Sequence, residues 1–344
     1  MSPPAVPPAS AADALNPLDP AWVERFRADF DNLCVRAFDG ALAEDARIAL
    51  AVSGGADSMA MLLLASAAFP GRVVAATVDH GLRPEAADEA AMVAEVCAQL
   101  GVPHATLTPA EPISGSSLQG QARAARYAAL FAWMRQADAL LLLTAHHADD
   151  QAETLLMRLN RASGVAGLSG IRPVRHGEFP VLRPLLEWRR DSLRAIVAAA
   201  GTVWVDDPSN ADLHHDRTRF RELLASQTLL DPAALARSVA HIAETNAALD
   251  ALVAQFWAER WDDRGATLRA RDLPREVQRR LVRQAVRATR DRHHIAFPLF
   301  TDSTNIESLL DALARDAGAT QAGVQATAKG EIWHFRSAPP RRSL

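Results

Sequence analysis

One stretch constrains this chain more than any other: Ile48 to Met61, IALAVSGGADSMAM. An apolar, partly β-branched run (Ile48, Ala49, Leu50, Ala51, Val52) stops at Ser53-Gly54-Gly55. Beyond Asp57-Ser58 the apolar residues recur at helical spacing, at Met59, Leu62 and Leu63. This pattern reads as a buried strand, a sharp glycine turn and a helix whose first turn carries free N–H groups. Such a turn holds an anion, because the orphan donors and the positive end of the helix dipole both point at it. Gly54 and Gly55 let the backbone come within hydrogen-bonding distance of phosphate oxygens, where a Cβ would collide. No lysine is present here, so this is not the Walker A loop.

Ser53-Gly54-Gly55-Ala56-Asp57-Ser58 resembles the SGGxDS pyrophosphate loop of the N-type ATP pyrophosphatases. That family uses ATP to adenylate an oxygen of its substrate and expels pyrophosphate. The resemblance implies that Ser53, Gly54, Gly55, Ala56, Asp57 and Ser58 bind ATP. It further implies that Asp57 helps hold Mg²⁺, a hard cation that favours oxygen ligands. Two glycines alone would read as an ordinary strand-to-helix turn. All five specified residues, after a strand and before a helix, tip the reading to a phosphate loop.

The 344 residues suffice for two domains and a sizeable core. No apolar run reaches membrane-spanning length, and residues 1–20 lack the basic start and apolar core of a signal peptide. That Pro-, Ala- and Ser-rich segment reads as a disordered leader on a cytoplasmic protein. The two cysteines, Cys34 and Cys97, supply neither a disulfide framework nor a Cys-x-x-C site. Residues 1–215 are net acidic and 216–344 net basic, which suits a catalytic domain joined to a polyanion-binding one.

Taken in order, Trp22 to Leu42 reads as an amphipathic helix, with Val23, Phe26, Phe30, Leu33 and Ala37 on one side. A second strand, Val73 to Val78, ends at Asp79-His80-Gly81-Leu82-Arg83. In doubly wound sheets ligands gather at the carboxyl ends of strands, where both Asp79 and the glycine loop fall. A helix over 86–100 carries Cys97 on its buried side. A strand and an irregular loop follow between Pro103 and Gly115. Arg123 and Arg126 then lie three apart on one helix face, beside Tyr127, the only tyrosine. A solvated face accounts for two arginines; a triphosphate matches their forked donors equally well. The strand Ala139 to Leu143 runs into THHADDQAET. On a helix starting there, His146, Asp150 and Glu153 share one face, with Asp149 or Asp150 as a cap.

Here the resemblance narrows to the tRNA(Ile)-lysidine synthases. It rests on THHADDQAET, Leu159 to Leu168, Leu182-Arg183-Pro184-Leu185-Leu186, Trp204 to Asn210, Asp216-Arg217 and Arg219-Phe220-Arg221. Together with the glycine loop, DHGLR and ARAARY, these span about 46–225 in the family's own order. One departure is Asn160 to Gly164, where the family shows Arg-Gly-x-Gly; Ala162 lacks a glycine's access to positive φ. The resemblance implies ATP-dependent adenylation of O2 of the wobble cytidine in an isoleucine tRNA with a CAU anticodon. The ε-amine of free L-lysine then attacks C2 and displaces AMP. It implies Asp79 and Arg123 near the nucleotide, and Asp57, Arg126, His146, Asp150 and Glu153 at the reaction, the last three facing cytidine and lysine. The cofactors are ATP and Mg²⁺, no membrane is involved, and a homodimer is left open.

The second part looks mostly helical. Arg275, Arg279, Arg283, Arg287 and Arg290 form a slowly drifting stripe, and nine arginines face three acids between Arg269 and Arg292. This reads as a phosphate-backbone contact surface, with a solvated helix as the plain alternative. The fold expected is α/β: a mostly parallel, doubly wound sheet (adenine nucleotide alpha hydrolase-like PP-loop domain, 21–215) followed by a small helical tRNA-binding domain (216–338). Two other functions are weighed. A tRNA thiolase of the same class would need reactive cysteines, and a non-catalytic tRNA-binding protein would not need the phosphate loop.

Overall fold

The computed structural model describes residues 15–38, 40, 42–79, 85–109, 118–205, 216–302 and 304–339. The chain divides into two compact units, Met1–Ala243 and Glu244–Leu344.

The first unit opens with α1 (Pro20–Phe38), which buries Phe26, Phe30, Leu33 and Cys34. Then come β1 (Arg47–Ala51), α2 (Ala56–Ala68), β2 (Val73–Val78), α3 (Glu85–Gln99), β3 (His104–Leu107), α4 (Leu118–Ala137), β4 (Ala139–Leu143), α5 (Ala148–Leu159) and α6 (Val165–Leu168). The short β5 (Val174–Arg175) and β6 (Val181–Leu182), α7 (Arg190–Ala200), α8 (Asp216–Ser226) and α9 (Pro232–Arg260) follow, α9 running on into the second unit. The sheet order is β3-β2-β1-β4-β6-β5. All neighbours are parallel except β5 against β6.

The central strands β1, β2 and β4 are mostly apolar because both faces are covered. Ile48, Leu50, Val73, Ala75, Leu141 and Leu143 face one core, shared with α1, α2, α3 and α7. Ala49, Val74, Ala76 and Leu142 face the other, closed by Tyr127, Leu130 and Met134 of α4. Alternate residues of one strand therefore serve opposite layers. After β1 the chain winds outward to β2 and β3, then returns to place β4 on the other side of β1. The carboxyl ends of β1 and β4 thus flank the switch point where such sheets bind ligands.

In the second unit α10 (Arg275–Arg292) and α11 (Glu307–Ala314) pack on a sheet of β7 (Trp261–Asp262), β8 (Thr267–Leu268), β9 (Gly318–Gln321), β10 (Val324–Lys329) and β11 (Ile332–Ser337). Its order is β7-β8-β11-β10-β9, with every pairing antiparallel. The helices expected here are present, but so is a five-stranded sheet that the sequence reading did not anticipate. Its inward side chains, Val324, Ala326, Trp333 and Phe335, complete the core of α10 and α11.

Two further departures concern segment limits. Leu15 and Leu18 pack on the first core, and Asn16 N–H donates to Ala200 O at 3.0 Å, so 15–19 are not free leader. Residues 1–14 lie outside the described residues. The expected boundary at 215/216 would also part α8 from the first unit, where its Arg217 and Arg221 bond to Glu153 of α5.

Candidate active site

The glycine loop follows β1 as the spacing implies. Gly54 has φ +85°, and a Cβ there would also press to 3.2 Å from Met92 Cε. The positive φ favours glycine, whereas the Met92 contact is with the end of a flexible side chain that can shift. Ser58 braces the loop: its hydroxyl donates to Gly55 O at 2.9 Å and accepts from Ser53 N–H at 3.1 Å. Ser53 Oγ lies 3.2 Å from Ser58 Oγ. Gly55 is the N-cap of α2, and no side chain caps that helix. The first turn of α2 is therefore left for an anion. Asp57 stands in this turn, with Oδ2 3.3 Å from His147 Nε2. Its Oδ1 is buried and has no hydrogen-bond partner among the described residues. Asp79 closes β2, its N–H bonded to Leu107 O at 2.9 Å, while His80 to Arg83 lie outside the described residues.

At the exit of β4 the helix begins at Ala148, so His146 lies before it rather than on its face. His147, not Asp149 or Asp150, is the N-cap of α5. Its backbone N–H donates to Asp150 Oδ2 at 3.0 Å, and its Nδ1 accepts from Asp150 N–H at 3.4 Å. His147 is 1% exposed. Burial opposes its charge, but Asp150 and Asp57 outweigh that and hold its pKa above the ordinary value. His146 precedes the helix, with Nδ1 3.2 Å from Thr144 Oγ1. Burial pulls its pKa down to about 4, against Asp150 and with Arg183, Arg123 and Arg217, so it is neutral imidazole near pH 7.

The acidic residues of α5 are spoken for. Glu153 is 1% exposed. Its Oε1 accepts from Arg190 Nη2 at 3.1 Å and Arg221 Nε at 2.9 Å, and its Oε2 accepts from Arg217 Nε at 2.7 Å. Arg217 Nη2 also donates to Asp150 Oδ1 at 2.6 Å. Asp149 takes a forked pair from Arg189 and the Arg190 N–H. Glu153 is thus drawn into the protein as the anchor of three guanidiniums rather than presented to a ligand. Sequence reading named His146, Asp150 and Glu153 and missed His147, Arg190, Arg217 and Arg221. The quoted stretches contained Arg217 and Arg221 without assigning them a role.

Arg123 and Arg126 lie on the exposed face of α4, and the Arg123 charge is felt at His146. The arginine stripe of α10, by contrast, is already consumed within its own unit. Arg275 pairs with Glu307 and Asp311 at 2.7 Å each, and Arg279 with Glu307 at 2.6 Å and with Glu276. Arg283 bonds to Thr304 O at 2.6 Å, Arg287 pairs with Asp302, and Arg290 is 8% exposed and bonded to Ala322 O. Three of the five stripe arginines, Arg275, Arg279 and Arg287, are thus paired with acids, while Arg283 and Arg290 bond to backbone carbonyls, which leaves the stripe less free charge than the expected phosphate-contact surface.

Residues 24–228 match the PP-loop domain family. A tRNA(Ile)-lysidine synthase of Novosphingobium aromaticivorans is 42% identical over 325 residues, covering 93% of this chain and 94% of that one. The chain belongs to the tRNA(Ile)-lysidine synthase family. A second tRNA(Ile)-lysidine synthase, from Zymomonas mobilis, is 39% identical over 310 residues, covering 86% of this chain and 90% of its own. Among solved structures, a U34-tRNA thiolase of Methanococcus maripaludis aligns with a TM-score of 0.52 at 15% identity, over 65% of this chain and 79% of its own. At that identity the likeness is one of fold. The lysidine synthase membership agrees with the cysteines: Cys34 and Cys97 are buried, and burial pushes both thiols up to about 12. Neither is a thiolate nucleophile.

Proposed function

We propose that this chain uses ATP to ligate L-lysine to C2 of the wobble cytidine of an isoleucine tRNA with a CAU anticodon, releasing pyrophosphate and then AMP. The observation that carries this is the meeting of an uncapped, glycine-opened helix N-terminus with the His146–His147–Asp150 corner across β1 and β4. One side suits a pyrophosphate leaving group and the other a reacting base and amine.

In this reading the α2 N-terminus and the Gly54–Gly55 backbone hold the β- and γ-phosphates, with Ser58 bracing the loop. Asp57 fits Mg²⁺. Its Oδ1 is a buried oxygen without a partner among the described residues. Among those residues no group of three or more His, Cys, Asp or Glu forms a metal cage. Mg²⁺ bound through one carboxylate, phosphate oxygens and waters needs none. When bound, it neutralises triphosphate charge and favours departure of pyrophosphate. Arg123 and Arg126 meet the α-phosphate or the adenylated cytidine, where their forked donors match anionic oxygens. His146, neutral at physiological pH, can accept a hydrogen bond but not serve as a proton donor. Asp150 borders the same corner and orders it, one oxygen held by the Arg217 guanidinium and the other by the His147 N–H. Glu153 acts from behind, fixing Arg190, Arg217 and Arg221.

The protein works in the cytoplasm in this reading. Among the described residues no helix is long and apolar enough to cross a membrane. The test is Asp57→Ala. Pyrophosphate release should vanish while tRNA affinity stays within about twofold, because a metal ligand and not an RNA contact is lost. Equal loss of both in a folded variant would refute the assignment.

A further inference from the structure

The two arginine-rich surfaces differ in one respect: on α10 Arg275, Arg279 and Arg287 are paired with acids, and around Tyr127, among the described residues, no arginine is. Arg123 and Arg175 both lie over the Tyr127 ring, their Cζ atoms 5.3 and 4.2 Å from its centroid. Arg183, 4% exposed, donates from Nη1 to Arg172 O at 2.5 Å, and its buried Nε has no partner among the described residues. Arg126 sits one turn from Arg123 on α4. Among the described residues, none of these five arginines has a carboxylate within ion-pair distance. The nearby acid Glu178 is taken by Arg135 at 2.5 Å. Burial, with Arg123 and Arg175 adding to it and Tyr127 opposing, pulls the Arg183 pKa below its ordinary value. Like charges gathered without acids cost free energy in the free protein, a cost that an anionic partner removes.

Arg123, Arg126 and Arg172 are exposed, and Arg175 is half-buried. An α-phosphate accounts for one or two of these cations, beside the glycine loop. It leaves Arg172 and Arg175, which belong to the β5 segment. Arg175 is held over the largely buried Tyr127 ring, which fixes its fork in a direction that suits the phosphates of an extended chain. We propose that Arg172 and Arg175, the latter positioned by the Tyr127 ring, contact the RNA phosphate backbone, and that the α10 stripe does not. The proposal rests on the tRNA reading above and adds to it the surface that carries the RNA.

The experiment is a salt titration of tRNA binding by the full chain, wild type against Arg172→Gln/Arg175→Gln. Each lost phosphate contact lowers the slope of log K against log salt by about 0.7 to 0.9, so the double variant should lose roughly 1.4 to 1.8. Between 50 and 200 mM salt, wild type should then weaken about 7- to 12-fold more than the variant. Arg172→Gln alone, at an exposed position, should show about half the change in slope. Arg175→Lys, which keeps the charge, should restore most of the slope. Arg279→Gln/Arg283→Gln should leave it unchanged. An unaltered slope in the folded double variant would overturn the proposal while leaving lysine-dependent pyrophosphate release by wild type to support the functional reading. Competition by polyglutamate as effective as that by RNA at equal charge would overturn the RNA assignment. A wild-type slope flattened by the variant, with no lysine-dependent turnover, would uphold this surface and refute the reaction.

Discussion

Glu153→Gln separates an anchoring role from a ligand-facing one. The wild-type carboxylate accepts three charge-assisted bonds at 2.7 to 3.1 Å and is 1% exposed. Glutamine keeps the volume, removes the charge, and turns at least one donor towards guanidiniums that have only donors. Breaking a buried ion pair by neutralising one member costs roughly 3 to 5 kcal/mol. Two facts pull the value to the low end. Arg217 retains Asp150 at 2.6 Å, and the Arg190 and Arg221 side chains, 21% and 28% exposed, can turn to water. We therefore expect a loss of about 3 kcal/mol. For a unit of this size 1 kcal/mol shifts Tm by about 2 to 4 °C, so the first unit should melt about 6 to 12 °C lower. Hydrogen exchange should quicken most in α8, whose Arg217 and Arg221 lose their shared acceptor. Thermal unfolding by circular dichroism with exchange mass spectrometry reads both. A variant melting within 1 °C of wild type, with a raised KM for lysine alone, would refute the anchor and return Glu153 to the substrate.

Three further outcomes follow from particular residues. His146 has its pKa lowered to about 4, so between pH 6.5 and 4 the unfolded chain takes a proton that the folded chain refuses. Stability is therefore full above pH 6.5 and falls as pH drops towards 4. His146→Gln should flatten that part of the stability-versus-pH curve, and an unchanged slope would contradict the buried neutral imidazole. Ala162, where the family shows glycine, has φ +51°; Ala162→Gly should stabilise the protein by roughly 0.5 to 1 kcal/mol in urea unfolding, and destabilisation would show that the position is not strained. A Cys34→Ala/Cys97→Ala variant should keep full turnover despite a packing loss of about 1 kcal/mol per site. Loss of turnover in that variant, if folded, would reopen sulfur chemistry.

The parts of the fold readable from sequence were those written in contiguous residues. Val73 to Val78, broken only by Thr77, and Ala139 to Leu143 are apolar runs because most of a parallel strand is buried on both faces, and the strands lie where those runs are. The Gly54 turn was legible because its positive φ favours glycine over residues with a side chain. What escaped was tertiary. Glu153 meets Arg190, Arg217 and Arg221, far along the chain, so spacing around THHADDQAET could not show that its charge was spent. The α10 stripe looked cationic because its acids, Asp302, Glu307 and Asp311, come later in sequence. The second sheet hid in two-residue strands and in a Val324-Gln325-Ala326-Thr327-Ala328 alternation of weakly apolar residues. His147 was passed over for His146 because a histidine is an unusual N-cap and His146, Asp150 and Glu153 were read as one helix face.

The most direct test of the account is to incubate the purified chain with ATP, Mg²⁺ and isoleucine tRNA bearing a CAU anticodon, with and without L-lysine. Pyrophosphate is followed in time and the anticodon nucleosides are resolved by mass spectrometry. The account predicts pyrophosphate release that requires this tRNA, and a wobble cytidine that gains lysine with loss of water only when lysine is present. Pyrophosphate release independent of tRNA, or a wobble cytidine unchanged in the presence of lysine, would contradict it.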